Sequence, residues 1–299
     1  MKKRKNKAIA EALVLGTVQF GLPYGIANAS GKPDNGQVRA ILDQAYDAGI
    51  RVLDTAAAYG ESEAVLGACG TGRWDVITKV PSLQGVDDTD VADRAKDSFL
   101  RSLDLLKTNH LYAVLAHDQR DMAGERGRRV RDALQPFVAD GVIGKLGASI
   151  YGPSDLESLE ASGIVQAPFN VLDQRMASSV ATSLLRTNST ELHVRSAFLQ
   201  GLLLMERQKR PARFARWAAD LERYDSMVAA SGLSPAAFCL GFVLQKPEVA
   251  CAVVGVDSAR QLAELVAALE QVQGTVIEAQ SLSVDDPGLI DPRMWKDGQ

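Results

Sequence analysis

The stretch RVLDTAAAYGESE, residues 51–63, carries the pattern that decides the fold. It opens on a short apolar run, residues 51–54, which is typical of a buried β-strand and ends in the acid Asp54. A loop that contains Tyr59 follows, and then a helix-like segment, residues 61–68. In a parallel barrel the chemistry lies at the carboxyl ends of the strands, so Asp54 is a candidate site residue.

The same pattern repeats along the whole chain. Seven further apolar runs predict strands at 13–19, 74–79, 111–116, 142–148, 163–167, 191–197 and 250–254. Helix-like segments lie at 36–49, 61–68, 90–107, 123–140, 153–161, 176–187, 212–245 and 258–270. Eight alternations favour the α/β class and a closed (β/α)8 TIM barrel in a single domain. The alternative, an open doubly wound sheet, calls for a GxGxxG turn after the first strand, and GTVQFG at residues 16–21 does not match it.

Composition limits the range of functions. The chain has 299 residues and a net charge of −4, and it is 46% hydrophobic, which is ordinary for a soluble protein. The small negative charge argues against nucleic-acid binding. No uncharged apolar segment reaches the roughly 18 residues that would predict a membrane span. We therefore expect neither nucleic acid nor a membrane as a partner.

The N-terminal residues and the cysteines predict the cellular compartment of the protein. Residues 1–10 are basic and are predicted to form a flexible tail, which leaves residues 11–299 for the barrel. No clean apolar segment follows the basic residues, so no secretion signal is expected. The three cysteines are widely spaced and form no CxxC motif. This spacing predicts a reduced, cytoplasmic protein without a disulfide or a zinc site.

Four polar side chains lie at or just beyond successive predicted strand ends: Asp54, Tyr59, Lys79 and His117. A buried lysine beside a carboxylate keeps its charge, because the partner offsets the cost of desolvation. That ammonium stabilises a neighbouring phenolate, so Tyr59 can donate a proton to a developing alkoxide. The imidazole of His117 can donate a hydrogen bond to the same carbonyl oxygen. The set predicts a carbonyl-reducing site that needs no metal.

Short motifs at seven of the eight strands resemble the aldo-keto reductase superfamily, from about residue 12 to 270. They are LGTVQFG at 15–21, DTAAAYGESE at 54–63, TKV at 78–80, LAHD at 115–118, GAS at 147–149, VQAPFN at 165–170 and VVGVDSARQL at 253–262. The opening LGTVQFGLPYGIAN, residues 15–28, is similar to a bacterial subgroup often associated with surface-sugar biosynthesis. The resemblance implies a (β/α)8 barrel, in agreement with the strand count.

The resemblance also implies an activity: reduction of an aldehyde or ketone to an alcohol by NADPH or NADH. Tyr59 is then the general acid, Lys79 its cationic partner, Asp54 the partner of Lys79, and His117 the orienting donor. The positions that match the family's cofactor contacts are Thr17, Asp54, Ser149, Gln166, Arg195, Gly255, Ser258, Gln261 and Glu264. The implied ligands are a nicotinamide dinucleotide and a small-molecule carbonyl substrate.

Four positions depart from the family pattern. Ile150 replaces the asparagine that often follows Ser149, and Arg195 replaces the aromatic residue that stacks on nicotinamide. Gln261 stands where the family often has an arginine for the 2′-phosphate, and Leu265 replaces the asparagine of the adenine-binding segment. A glutamine offers a hydrogen bond but no charge, so the preference between NADPH and NADH is left open.

Two other functions compete with the reductase. The altered cofactor positions favour a regulatory protein that binds NAD(H) with little turnover and acts on a protein partner. The other alternative is a lyase or aldolase in which Lys79 forms a Schiff base. In that mechanism Asp54 and Tyr59 would need other roles.

Overall fold

The computed structural model describes residues 9–26, 28, 31–159, 162–272 and 274–295. Eight parallel strands close into one barrel in chain order, with β8 hydrogen-bonded to β1. They are β1 (Leu13–Gly16), β2 (Val52–Asp54), β3 (Asp75–Val80), β4 (Leu111–Ala116), β5 (Ile143–Ser149), β6 (Ile164–Pro168), β7 (Glu191–Arg195) and β8 (Val249–Gly255). The predicted (β/α)8 barrel is confirmed.

Helices cover the outside of the barrel and bury the outer face of the strands. The helices are α1 (Val18–Gly21), α2 (Asn35–Asp47), α3 (Ser62–Cys69), α4 (Val91–Leu106), α5 (Gly124–Ala139), α6 (Pro153–Glu157), α7 (Ser179–Thr187), α8 (Ala218–Ser231), α9 (Pro235–Leu244), α10 (Ala259–Gln271) and α11 (Pro287–Ile290). In α4 the buried residues Val91, Ala95, Phe99, Ser102 and Leu106 recur every three to four positions and form one face. Because both faces of the strands are covered, every residue of β1 and of β6 is buried.

Two predicted strands end earlier than expected. The first was predicted over residues 13–19 but ends at Gly16, because the chain turns into α1, where the Thr17 carbonyl accepts the backbone N–H of Phe20 at 3.0 Å. The seventh was predicted over residues 191–197 but ends at Arg195, because Ser196 has a left-handed backbone with a φ of 59°. Both turns occur at the rim of the barrel.

The long helical region predicted over residues 212–245 is three elements. A 3₁₀ segment (Ala212–Trp217) leads into α8, and α9 follows after a short turn. Gly232, with a φ of 69°, ends α8 in the left-handed conformation that suits glycine. Ser234 then caps α9, and its hydroxyl accepts the N–H of Ala237 at 3.2 Å.

Two further findings concern the ends and the surface. Of the predicted tail, residues 1–8 lie outside the described residues. In the described part of the chain, no single helix is long and apolar enough to cross a membrane. One pair, Ala212–Ser231 with Pro235–Leu244, meets the length and hydropathy criteria together but is bent by 93°.

Candidate active site

The predicted site residues lie at one end of the barrel. Asp54 is the last residue of β2, Lys79 the penultimate residue of β3, and His117 directly follows β4. Ser149 and Arg195 are the last residues of β5 and β7. Because all strands run in parallel, these positions share the carboxyl-end rim, where barrel enzymes carry out their chemistry.

Lys79 and Asp54 form a buried ion pair at this rim. The Lys79 Nζ lies 2.6 Å from the Asp54 Oδ1, and the two side chains are only 1% and 3% exposed. The ammonium also donates to the carbonyl of Thr55 at 2.9 Å. Burial by itself lowers the pKa of Lys79, but the Asp54 carboxylate and the Tyr59 hydroxyl outweigh it, so the pKa is raised. Lys79 is therefore a permanent cation inside the barrel.

Tyr59 lies against this cation. Its hydroxyl is 3.5 Å from the Lys79 Nζ. Its ring meets the imidazole of His117 edge to face, with centroids 5.8 Å apart and planes at 89°. The structure thus brings together the four residues that the sequence analysis grouped as catalytic, at the ends of three neighbouring strands.

The loop that carries Tyr59 is held by a close approach of two backbones. A Cβ on Gly21 would lie 1.7 Å from the carbonyl oxygen of Tyr59, so only glycine fits there. Gly60 has a φ of 58°, and a Cβ on it would lie 2.7 Å from the Gly21 carbonyl oxygen. The glycines therefore allow α1 to pack directly on the Tyr59 loop. This contact fixes the position of the loop at the rim.

His117 is neutral at ordinary pH. Burial lowers the pKa of its imidazole to about 4, and the positive charges of Lys79 and Arg195 contribute. A neutral imidazole carries one N–H, which can donate a hydrogen bond to a substrate oxygen. This state agrees with the role of an orienting donor.

The second oxygen of Asp54 has its own donor. The side-chain amide of Gln166, in β6, donates to the Asp54 Oδ2 at 2.8 Å. The family resemblance assigns Gln166 to the cofactor and does not predict this bond. Ser149, which pairs with Gln166 in the β5–β6 register, is likewise buried at the rim.

A small network of hydroxyl groups lies behind Asp54, and sequence reasoning missed part of it. Ser62 donates to the carbonyl of Thr17 at 2.8 Å and accepts from the hydroxyl of Thr55 at 3.1 Å. The Thr17 hydroxyl lies 3.0 Å from the Asp54 carbonyl and 2.8 Å from the Ser62 hydroxyl. The side chain of Thr17 is thus occupied by the protein itself. The serine in DTAAAYGESE was the only available signal for this network.

The predicted phosphate and adenosine segment lies at the junction of β8 and α10. Ser258 caps α10, and its hydroxyl accepts the N–H of Gln261 at 3.2 Å. The Gln261 side chain turns back and accepts the N–H of Asp257 at 2.7 Å. Glu264 lies on the exposed side of α10, 3.6 Å from Arg260. Leu265, by contrast, packs in the hydrophobic core.

Gly255 ends β8 without a side chain, and the amide of Gln19 lies directly over it. A Cβ on Gly255 would come within 2.5 Å of both polar atoms of that amide. The Gln19 Oε1 is buried and has no hydrogen-bond partner among the described residues. An acceptor of this kind fits a ligand that brings a hydroxyl or amide N–H to the end of β8.

Arg195 reaches from β7 towards the end of β5. Its guanidinium donates to the carbonyl of Ile150 at 3.1 Å, and its Cζ lies 4.6 Å from the ring centroid of Tyr151. Arg293 lies against the same ring, with its Cζ 3.3 Å from the centroid. Within the described part of the chain, no three His, Cys, Asp or Glu side chains are grouped so as to hold a metal ion.

Comparisons with known proteins identify the family. The family model described as "Aldo/keto reductase family" matches residues 12–277. Two solved structures from Pseudomonas aeruginosa, both assigned by name as aldo-keto reductases, match with a TM-score of 0.65 and identities of 24% and 25%. Each alignment covers 88% of this chain and 90% of the other. No curated protein matches the chain. The chain belongs to the aldo/keto reductase family, a family of oxidoreductases.

Proposed function

We propose that this protein reduces an aldehyde or ketone to an alcohol with NADPH or NADH, and that Tyr59 is the general acid. One observation carries the proposal: the Tyr59 hydroxyl lies 3.5 Å from the ammonium of the buried Lys79–Asp54 pair, and the Tyr59 ring meets the neutral imidazole of His117 edge to face. A phenol, a fixed cation and a neutral donor together suit a carbonyl oxygen that gains negative charge.

Each residue then has a stated task. The carbonyl oxygen of the substrate accepts hydrogen bonds from the Tyr59 hydroxyl and the His117 imidazole, which orient it. Lys79 stabilises the phenolate left behind when Tyr59 gives its proton to the developing alkoxide. Asp54 holds Lys79 in its charged form, and Gln166 holds Asp54. A bound nicotinamide supplies the hydride that goes to the carbonyl carbon.

The rim has features that fit a dinucleotide. Gly255 leaves the end of β8 bare, and the orphaned Gln19 Oε1 offers an acceptor beside it. The N-terminus of α10, a helix of 13 residues, lies next in the chain and favours a phosphate group. We assign Gly255, Ser258, Gln261 and Glu264 to this end of the cofactor. Thr17, Asp54, Ser149 and Gln166 are assigned to the nicotinamide end.

The site also bears on the alternative functions. A Schiff base requires a neutral amine, and the raised pKa of Lys79 argues against that role. A regulatory protein would not need the Tyr59 hydroxyl beside the ion pair. The altered positions Ile150 and Leu265 still favour regulation, which stays a prediction. The proposed substrate is a small carbonyl compound, and the proposed compartment is the cytoplasm, because Cys69, Cys239 and Cys251 form no disulfide.

Turnover by the full chain tests this proposal. The purified protein is incubated with a reactive aromatic aldehyde and with NADPH or NADH, and cofactor oxidation and alcohol formation are both followed. We expect one alcohol formed for each cofactor oxidised. Binding of either cofactor without turnover of any aldehyde or ketone in a broad panel would favour the regulatory function instead.

A further inference from the structure

Arg195 carries a charge that no described residue neutralises. Its guanidinium is partly buried and bonds to two uncharged groups, the carbonyl of Ile150 at 3.1 Å and the hydroxyl of Ser196 at 3.5 Å. Among the described residues, none places a carboxylate within the 4.0 Å of an ion pair with it. A guanidinium has five N–H donors, so several of them stay available for a ligand.

The neighbouring arginines differ in this respect. Arg293, which shares the ring of Tyr151 with Arg195, donates to both oxygens of Asp291. Arg175 makes a similar pair of bonds with Asp173, at 2.8 Å each. Arg195 is therefore set apart from two nearby arginines that are paired with acids. A partly desolvated charge without a partner costs free energy that an anionic ligand would recover.

The position of this charge points into the proposed site. Arg195 ends β7 on the same rim as the catalytic residues, and its bond to Ile150 carries it past β6 to the end of β5. Its positive charge contributes to lowering the pKa of His117, and it acts in the same direction on the pKa of Tyr24. Tyr24 is a loop residue whose hydroxyl accepts a hydrogen bond from Gln200 at 3.2 Å. The guanidinium thus lies beside the place where the carbonyl compound would bind.

We infer that Arg195 binds an anionic group of the substrate, so that the preferred substrates are carbonyl compounds that bear a carboxylate or a phosphate. The inference rests on the proposed reductase function and names its substrate class. The Arg195 guanidinium stacks on Tyr151 and donates to a backbone carbonyl. Its remaining N–H groups can donate to two oxygens of such a group. The cofactor phosphates are the other source of the same chemistry, and the test separates the two.

The test compares two aldehydes that differ at one group, 4-carboxybenzaldehyde and its uncharged methyl ester. We expect wild-type kcat/KM to favour the acid, and Arg195→Gln to lower the acid-to-ester ratio by about 10-fold or more, the effect of losing a hydrogen bond to a charged group. Arg195→Lys keeps the charge and should retain part of the preference. The control is Arg39→Gln, because Arg39 is an exposed arginine that also bonds to a backbone carbonyl, that of Ala68. An unchanged ratio in Arg195→Gln would overturn the inference.

Two binding measurements keep the inference independent of turnover. Calorimetric titration with benzoate and with benzamide, in the presence of the oxidised nicotinamide, should show benzoate binding that weakens about 10-fold or more in Arg195→Gln. If neither aldehyde is reduced, the proposed function fails, but benzoate binding still tests the inference. Equal benzoate binding by wild type and Arg195→Gln would overturn the inference. Cofactor affinity is measured by fluorescence. Weaker cofactor binding in Arg195→Gln with an unchanged preference between benzoate and benzamide would assign the guanidinium to the cofactor and overturn the inference.

Discussion

Gln166 donates its side-chain amide to the Oδ2 of Asp54 at 2.8 Å, and the bond crosses the inside of the barrel from β6 to β2. The Oδ1 of the same carboxylate accepts from Lys79 at 2.6 Å. Asp54 is therefore held from two sides, and its orientation fixes the cation beside Tyr59. The surroundings of Tyr59, the proposed proton donor, are thus tied to a contact between strands that are not neighbours in the sheet.

Replacing this amide should cost stability. Gln166→Leu leaves one buried oxygen of Asp54 without its donor, and we expect the free energy of unfolding to fall by about 1 to 3 kcal/mol. Urea denaturation of the full chain measures the change. Gln208→Leu, at an exposed position, is the control and should change stability little. Equal stability of Gln166→Leu and wild type would show that the bond does not support Asp54.

The contact between Gly21 and the Tyr59 loop predicts a loss of activity from one added methyl group. In Gly21→Ala the new Cβ would meet the Tyr59 carbonyl at 1.7 Å, so α1 and the loop must move apart. Because a shift of about 1 Å at a reacting group can cost about 100-fold in rate, we expect kcat to fall by that order. Gly72→Ala is the matched control, since a Cβ there meets nothing within 4 Å. Similar kcat values for the two variants would contradict the proposed positioning role.

His117 predicts a pH dependence of stability. Its pKa is lowered to about 4 in the folded chain, below the ordinary value of 6.5 for an imidazole. Between these values the unfolded chain binds more protons, so stability falls as the pH decreases from about 7 towards 4. From pH 7 to pH 5, wild type should lose about 1 to 2 kcal/mol more than His117→Gln, which has no such group. The same loss in both proteins, measured by urea denaturation, would rule out a buried neutral imidazole.

Gln261 predicts how cofactor preference can be changed. An arginine at this position would add a positive charge near the proposed phosphate end, so Gln261→Arg should shift the ratio of NADPH to NADH affinity about 10-fold towards NADPH. Gln261→Met is the control, because it also removes the bond to the Asp257 N–H but adds no charge. Fluorescence titration with each cofactor measures the ratio. A shift of the same size in both variants would show that the lost bond, and not the added charge, changes the cofactor preference.

Much of this architecture could be predicted from the sequence. The eight strands and the order of Asp54, Lys79 and His117 followed from apolar runs that end in polar residues, because the barrel places each strand end on one rim. The strand ends at Gly16 and Arg195 were beyond local patterns. The hydroxyl of Thr17, the residue after β1, donates to the carbonyl of Asp54, which is 37 positions away, and no local signal shows such a bond.

The contacts between distant parts of the chain were likewise hidden. The bond of Gln166 to Asp54 joins residues 112 positions apart, so the sequence assigned the amide to a ligand instead. The missing acid partner of Arg195 is also a property of three-dimensional packing. Chemical type and order were readable, whereas the pairing of charges and hydrogen bonds required the folded chain.

Carbonyl reduction by Tyr59→Phe tests the central claim most directly. Oxidation of NADH and of NADPH with a reactive aromatic aldehyde is measured for the variant, for wild type, and for Tyr46→Phe, a control whose ring packs on Trp74 at 5.5 Å. The reductase function predicts that Tyr59→Phe loses about 100-fold or more in kcat and still binds the cofactor, while Tyr46→Phe keeps its activity. Undiminished reduction by Tyr59→Phe would contradict the role of Tyr59 as the general acid.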